Sequence, residues 1–128
     1  LRLFRELIVA HLPVTVLLLD HGLQITAATR PATRLFGGGE LVGQPLAAAL
    51  PAPLIEACDL QARVRRALRT RRDLALLRVD ARIDQVDRSF RVTVVPLERA
   101  DAAALVHVEE LTDAIEVETR LRLAESLA

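Results

Sequence analysis

The sequence has few aromatic residues and no net charge. It contains no tryptophan and no tyrosine, and its three phenylalanines stand at positions 4, 36 and 90. Stacking surfaces for nucleic acid bases are therefore scarce. The 17 basic residues are balanced by 17 acidic ones, so the chain as a whole exerts no broad attraction on nucleic acid or acidic lipid. We therefore expect no nucleic acid among its partners.

Cysteine and long apolar runs are also scarce. The single cysteine, Cys58, excludes a disulfide within the chain and is compatible with the cytoplasm, where we expect the protein to reside. No apolar run reaches the roughly 18 residues of a membrane-spanning helix, so we expect no direct membrane span. The chain starts with Leu1, and no glycine or asparagine follows Ala128 to end the last helix, which favours a domain taken from a longer protein.

Signatures of catalysis and of metal binding are missing as well. His11, His21 and His107 fall at a helix end, in a turn and on a strand, and no nucleophile–histidine arrangement has a supporting motif. The glycines at 37–39 lack the Lys-Ser/Thr pair of a phosphate-binding loop. Cys58 has no second cysteine beside it and reads as a small buried apolar residue. We therefore predict no catalytic residue and no metal site, and we expect this fragment not to be an enzyme.

Apolar residues, by contrast, make up 52% of the chain, which is enough for the core of one domain of 128 residues. The spacing of apolar residues in 1–12 predicts an amphipathic helix with two apolar stripes, and Phe4 and Ile8 lie on one of them. Two strands over 14–20 and 23–28, joined by a two-residue turn at 21–22, predict a hairpin.

The middle of the chain has the pattern of helices. Thr29 is placed to cap a short helix that Gly37 ends, and 40–43 and 44–51 each predict a single helical turn. Residues 52–70 predict one longer helix with four residues on its buried stripe: Ala57, Leu60, Val64 and Ala67. Six arginines between 63 and 72 form a basic run, which fits a solvated helix face or, less well, a site for an acidic or phosphorylated partner.

After residue 73 the apolar period changes from helical to two. Three strands, over 74–83, 89–98 and 103–110, predict an antiparallel meander with one apolar face. This element order predicts an α+β domain whose five-stranded sheet packs one face on the short helices. An apolar ligand cavity between sheet and helices, if present, would be lined by six residues of that face: Leu77, Val79, Phe90, Val92, Val106 and Val108.

The chain ends with a predicted helix over 112–128. It has no glycine or proline, Thr112 is a plausible N-cap, and Val117, Leu121 and Ala124 lie on a narrow heptad stripe. We expect this helix to continue into another domain, and a terminal helix packed on its own domain is the alternative.

The order of these motifs resembles a PAS domain. "LPVTVLLLDHGLQITAATRPATRLFG" is similar to the family's opening strands and short helix, and "LVGQPLAAALP" to its Val-Gly-x-x-Leu turn. "SFRVTVVPL" resembles the strand that ends in Pro-Leu, and "VEELTD" resembles the closing Asp-Ile-Thr motif. Two positions depart from the family: Thr29 replaces a common asparagine, and Glu110 replaces the closing aspartate.

The resemblance implies a PAS-like sensory domain over 13–111, between an N-terminal helix at 1–12 and a C-terminal signalling helix at 112–128. Family members bind haem or flavin, but here the helical region 52–70 has no histidine, and Leu46 stands where the reactive cysteine of flavin photosensors would be. We therefore predict neither cofactor, while an unknown small ligand stays open.

The resemblance further implies a homodimer that passes a signal to an output domain in the same chain. "ETRLRLAESLA" is similar to the linker that enters the dimerisation helices of bacterial sensor histidine kinases, so a two-component kinase is the favoured output. A ligand-free dimerisation module of a diguanylate cyclase or transcriptional activator is the alternative, and a small α+β enzyme is the least favoured. The expected relay and dimerisation residues are Phe4, Ile8, Glu110, Leu111, Thr112, Val117, Leu121 and Ala124.

Overall fold

The computed structural model describes residues 14–99, 102–111 and 121–126. The strands are β1 (Val16–Leu19), β2 (Ile25–Ala28), β3 (Leu74–Ile83), β4 (Val86–Pro96) and β5 (Ala104–Glu110). The helices are α1 (Arg30–Leu35), α2 (Leu46–Ala49), α3 (Ala52–Cys58) and α4 (Leu60–Thr70), and residues 121–126 are also helical. The predicted helix at 1–12 and the start of the predicted helix at 112–128 lie outside the described residues.

All five strands form one antiparallel sheet in the order β2-β1-β5-β4-β3. The hairpin β1–β2 and the meander β3–β4–β5 are joined because β1 pairs with β5, with Leu17 opposite Val106. The four helices follow β2 in the chain and supply buried side chains to one face of the sheet. The predicted α+β class and five-stranded antiparallel sheet are confirmed.

The core lies between this sheet face and the helices. Phe90, Val92 and Val94 alternate inward along β4, and Leu54 and Leu60 reach them from the helices. Each is fully buried, and burying such a side chain stabilises the fold by about 1.5–3 kcal/mol. The period-two pattern of β4 and β5 is therefore confirmed.

The predicted single helix over 52–70 is wrong: the chain forms two helices that meet at Asp59. The backbone of Asp59 is left-handed (φ 50°, ψ 52°), a conformation that aspartate tolerates better than most residues. This break shifts the phase of the buried stripe. Leu54 and Cys58 are buried on α3, whereas Ala57, which the uninterrupted pattern placed inside, is exposed.

The expected alternation along β3 is wrong at Leu77. The pairing with β4 shifts between Leu76 and Val79, which is the mark of a β-bulge. Leu76 is partly buried against the core, and Val79 is inside again, but Leu77 is 69% exposed. A bulge inserts an extra residue, so a side chain that strict alternation would turn inward points to solvent here.

The predicted turn at 21–22 is confirmed, because the N–H of Leu23 donates to the carbonyl of Asp20 at 3.1 Å. One carboxylate oxygen of Asp20 also accepts the N–H groups of Gly22 and Gln24, each at 2.9 Å, and β2 begins at Ile25 rather than at Leu23. Residues 40–43 form no helical turn. Instead the N–H of Gln44 donates to the carbonyl of Leu41, and Gly43 takes the positive φ of 90° that this turn requires.

Candidate functional site

A bidentate ion pair lies where β5 ends. Arg88 of β4 donates two hydrogen bonds to the Glu110 carboxylate, from Nε to Oε1 at 2.7 Å and from Nη2 to Oε2 at 2.8 Å. The side chains are 22% and 30% exposed, and this contact raises the pKa of Arg88 despite partial burial. The Arg88 guanidinium also lies 5.3 Å from the ring centroid of Phe90, so it joins the last strand to the core.

The sheet register explains this pair. Arg88 and Phe90 are two residues apart on β4 and share a face, and Glu110 is the cross-strand partner of Phe90. Glu110 and Arg88 are therefore diagonal neighbours on the helix-covered face of the sheet. No sequence motif marks Arg88. Its pairing with Glu110 could be predicted from the alternation of side chains along β4 if the register between β4 and β5 were known.

The backbone of the next residue is held as well. The N–H of Leu111 donates to the carbonyl oxygen of Ser89 at 2.7 Å. The Ser89 hydroxyl donates to Asp80 Oδ1 at 2.6 Å, and Arg78 Nε contacts the same oxygen at 3.0 Å. The hydrogen bond from Ser89, followed by that from Arg78, lowers the pKa of Asp80. Glu110 and Leu111, here called the exit, are therefore held by β4 directly, and Ser89 in turn contacts Asp80 of β3.

The chain enters the sheet beside this exit. The N–H of Val108 donates to the carbonyl of Thr15 at 3.0 Å, and Val16 lies opposite His107. A surface groove of about 720 Å³ follows this junction, and its lining residues are Val14, Thr15, Pro31, Arg34, Leu35, His107, Val108, Glu109 and Glu110. The segments before residue 14 and after residue 111 therefore attach to adjacent strands at one end of the sheet.

Thr29 ties β1 to α1 near this junction. Its hydroxyl oxygen, which is fully buried, accepts the N–H of Val16 at 3.0 Å and the N–H of Ala32 at 3.4 Å. The second contact is the predicted N-cap. The first was not predicted, because it joins residues 13 positions apart.

The sheet face opposite the core is apolar at one end and charged at the other. Ala27, Leu18, Leu105 and Val95 stand opposite one another across four strands, and Leu18 is only 7% exposed. Further along, Arg91 and Glu109 form a 3.3 Å ion pair whose side chains are each 46% exposed. His107 also lies on this face and is half-buried.

The six residues proposed to line a ligand cavity do not all meet. Five of them, Val79, Phe90, Val92, Val106 and Val108, are buried on the helix-covered face, whereas Leu77 points to solvent. That the other five line a ligand cavity stays a prediction. Of the expected relay residues, Glu110 and Leu111 lie at the exit and Leu121 and Ala124 in the exposed helical segment; Phe4, Ile8, Thr112 and Val117 lie outside the described residues.

Cys58 is 7% exposed, and its thiol contacts the carbonyl of Leu54 at 3.3 Å. Burial is the main reason why the pKa of this thiol is raised, which fits the predicted small buried residue. Within residues 14–99, 102–111 and 121–126, no group of three potential metal ligands comes together. Over the same ranges, no helix has the length and apolar character that crossing a membrane requires.

Comparison with known proteins agrees with this geometry. The sequence profile of the PAS fold family matches residues 9–116. No curated protein sequence matches significantly. Among solved structures, the phage VqmA–DPO complex superposes with a TM-score of 0.72 at 22% identity, over 95% of this chain and 59% of that chain.

Two further structures show the same fold. The PAS domain of nitrogen regulation protein NR(II) from Vibrio parahaemolyticus superposes with a TM-score of 0.58 at 22% identity, over 83% of this chain and 96% of that one. A VqmA–ligand–DNA complex from Vibrio cholerae superposes with a TM-score of 0.66 at 18% identity, over 97% of this chain and 58% of that one. The chain therefore spans somewhat more than half of the VqmA structures.

Proposed function

The chain belongs to the PAS fold family, and on that premise we propose that it is a cytoplasmic sensory and regulatory module that dimerises and relays a signal to an output domain in the same protein. The favoured output is the histidine kinase of a two-component system. The module itself carries out no reaction in this proposal. The observation that carries the proposal is the fixed exit of the chain, where Arg88 holds Glu110 and Ser89 holds Leu111.

The exit supports a relay for a mechanical reason. Glu110 and Leu111 are the last described residues before the segment that the sequence predicts to be a signalling helix. Their contacts go to β4, whose Phe90 and Val92 belong to the core. A change in core packing that displaces β4 would therefore also displace the start of that segment. A ligand or partner can drive such a change only if it binds the two packings with different affinity.

The entry of the chain supports coupling between the two flanking segments. β1 and β5 are neighbours, and the Thr15–Val108 hydrogen bond joins the residue before β1 to the end of β5. The end of a predicted N-terminal helix at 1–12 and the start of a predicted signalling helix at 112–128 would thus lie close together. In the proposal, Phe4 and Ile8 of the first and Val117, Leu121 and Ala124 of the second form contacts between two copies.

Native mass spectrometry of the 128-residue chain tests the dimer and the ligand together. A dimer with additional non-protein mass supports a ligand-sensing module. A dimer at the bare protein mass supports the ligand-free dimerisation module instead, and a monomer at all concentrations contradicts dimerisation by this chain.

A chimera tests the relay. Residues 14–128 would replace the sensory domain of a PAS-containing histidine kinase, and autophosphorylation would be compared between Glu110→Gln and the matched control Glu109→Gln. We expect the first change to alter the kinase rate and the second to leave it unchanged. Equal rates in both variants would contradict a relay through this exit.

The likeness to VqmA favours a second candidate, in which the output is a DNA-binding domain of a transcriptional activator. This candidate rests on the structural match over 97% of the chain to a protein solved with ligand and DNA. Sequencing the gene beyond Ala128 separates the two: a phosphoacceptor histidine followed by an ATP-binding domain supports the kinase, and a helix-turn-helix domain supports the activator.

A further inference from the structure

Three arginines lie on one side of α4. Arg65, Arg66 and Arg69, here called the arginine ridge, are exposed, while Leu60 and Val64 bury the opposite side of the helix. Among the described residues, the ridge forms no salt bridge. The sheet differs, because four of its arginines pair with carboxylates: Arg78, Arg82, Arg88 and Arg91.

Local helix energetics account for only one arginine of the ridge. Cations are favoured in the last turn of a helix, which explains Arg69, but Arg65 and Arg66 precede that turn in α4. Surface helices commonly pair an arginine with a carboxylate four residues before it, yet the residues there are Gln61 and Ala62. Arg65 and Arg69 are four residues apart and repel each other, which destabilises the helix. A bound anion would remove this repulsion.

The surroundings of the ridge limit the size of that anion. Arg66 lines a groove of about 310 Å³ between α4 and β3, together with Thr70, Arg72 and Asp73. Two exposed carboxylates flank the arginine ridge along the chain: Asp59 precedes α4, and Asp73 follows it. An extended polyanion, such as duplex DNA or an anionic membrane, would meet these carboxylates, whereas a short acidic protein segment fits between them.

We propose that the arginine ridge of α4 is a docking site for a short acidic segment of a partner protein. All 17 basic residues of the chain are arginine, whose planar guanidinium binds a carboxylate through two parallel hydrogen bonds. Glutamates or aspartates on one face of a helix, at i, i+3 and i+4, would match the spacing of the ridge. The ridge is distinct from the chain exit at Glu110, so this site and the proposed relay can be tested separately.

The probe is a labelled alanine-based peptide with glutamates on one helix face, and its affinity is measured by fluorescence anisotropy. We expect Arg65→Gln/Arg69→Gln to weaken binding about fivefold, the loss of two exposed ion pairs. The matched control, Arg30→Gln/Arg34→Gln, removes the same charge from exposed arginines of α1 and should change affinity less than about twofold. Raising the salt concentration should weaken binding by the unchanged protein.

Three results would overturn the proposal. Equal losses in the ridge variant and the control variant would show a general charge effect. Equal affinity for a peptide with glutamine in place of glutamate would exclude carboxylate recognition. Tighter, ridge-dependent binding to a short DNA duplex or to phosphatidylserine vesicles would assign the ridge to a different class of partner. Circular dichroism spectra of both variants establish that each is folded.

Discussion

Replacing Glu110 with glutamine should destabilise the domain much more than the same change at Glu109. Glu110 accepts two hydrogen bonds from Arg88 at 2.7 and 2.8 Å, and both side chains are less than one third exposed. Glu109 accepts one hydrogen bond from Arg91 at 3.3 Å, with both side chains near half exposure. The two glutamates are adjacent, so the comparison keeps the charge change and the strand constant.

The expected magnitudes follow from burial. Glutamine at 110 keeps one acceptor for Arg88 but leaves a partly buried guanidinium without its counter-charge, which should cost about 1–3 kcal/mol. At 109 the ion pair is solvated, and the expected loss is about 0–1 kcal/mol. Charge-assisted bidentate pairs are the stronger class, so the difference should exceed experimental error.

The assay is urea unfolding followed by far-ultraviolet circular dichroism, because a chain without tryptophan or tyrosine offers little intrinsic fluorescence. A double-mutant cycle with Arg88→Gln isolates the pair, and a second cycle with Arg91→Gln treats the control pair in the same way. A coupling energy for Arg88–Glu110 no larger than that for Arg91–Glu109 would refute the reasoning from burial and geometry.

Three further changes test other parts of the fold. Thr29→Val should cost about 1–3 kcal/mol in urea unfolding, because the buried N–H of Val16 loses its acceptor; no loss would contradict the buried cap. Val79→Ala should cost about 2 kcal/mol, and Leu77→Ala less than about 0.5 kcal/mol, since only the first is buried; equal losses would argue against the bulge. Burial raises the pKa of the Cys58 thiol, so its contribution to stability is complete below the ordinary thiol pKa and is lost as pH rises through the raised native value. Cys58 should therefore resist iodoacetamide at neutral pH until the protein unfolds, and rapid labelling of the native chain would be the contrary result.

The sequence alone determined features that depend on neighbours in the chain. Phe90, Val92 and Val94 alternate along β4, and this period of two is enough to identify a strand with one buried face. The cap at Thr29 follows from a hydroxyl three residues before the N–H that it accepts. The resemblance to a PAS domain could also be recognised from the sequence, because several short motifs follow one another along the chain in the order typical of that family.

Only the tertiary structure decided features that join distant segments. The bulge beside Leu77 depends on the register with β4, and the break at Asp59 lets Cys58 as well as Leu60 reach the core. The Arg88–Glu110 pair spans 22 positions and exists because β4 and β5 align in one particular register. Periodicity fixes which face of an element is apolar, but the energy of a bulge, a break or a cross-strand ion pair is set by partners that the local sequence does not contain.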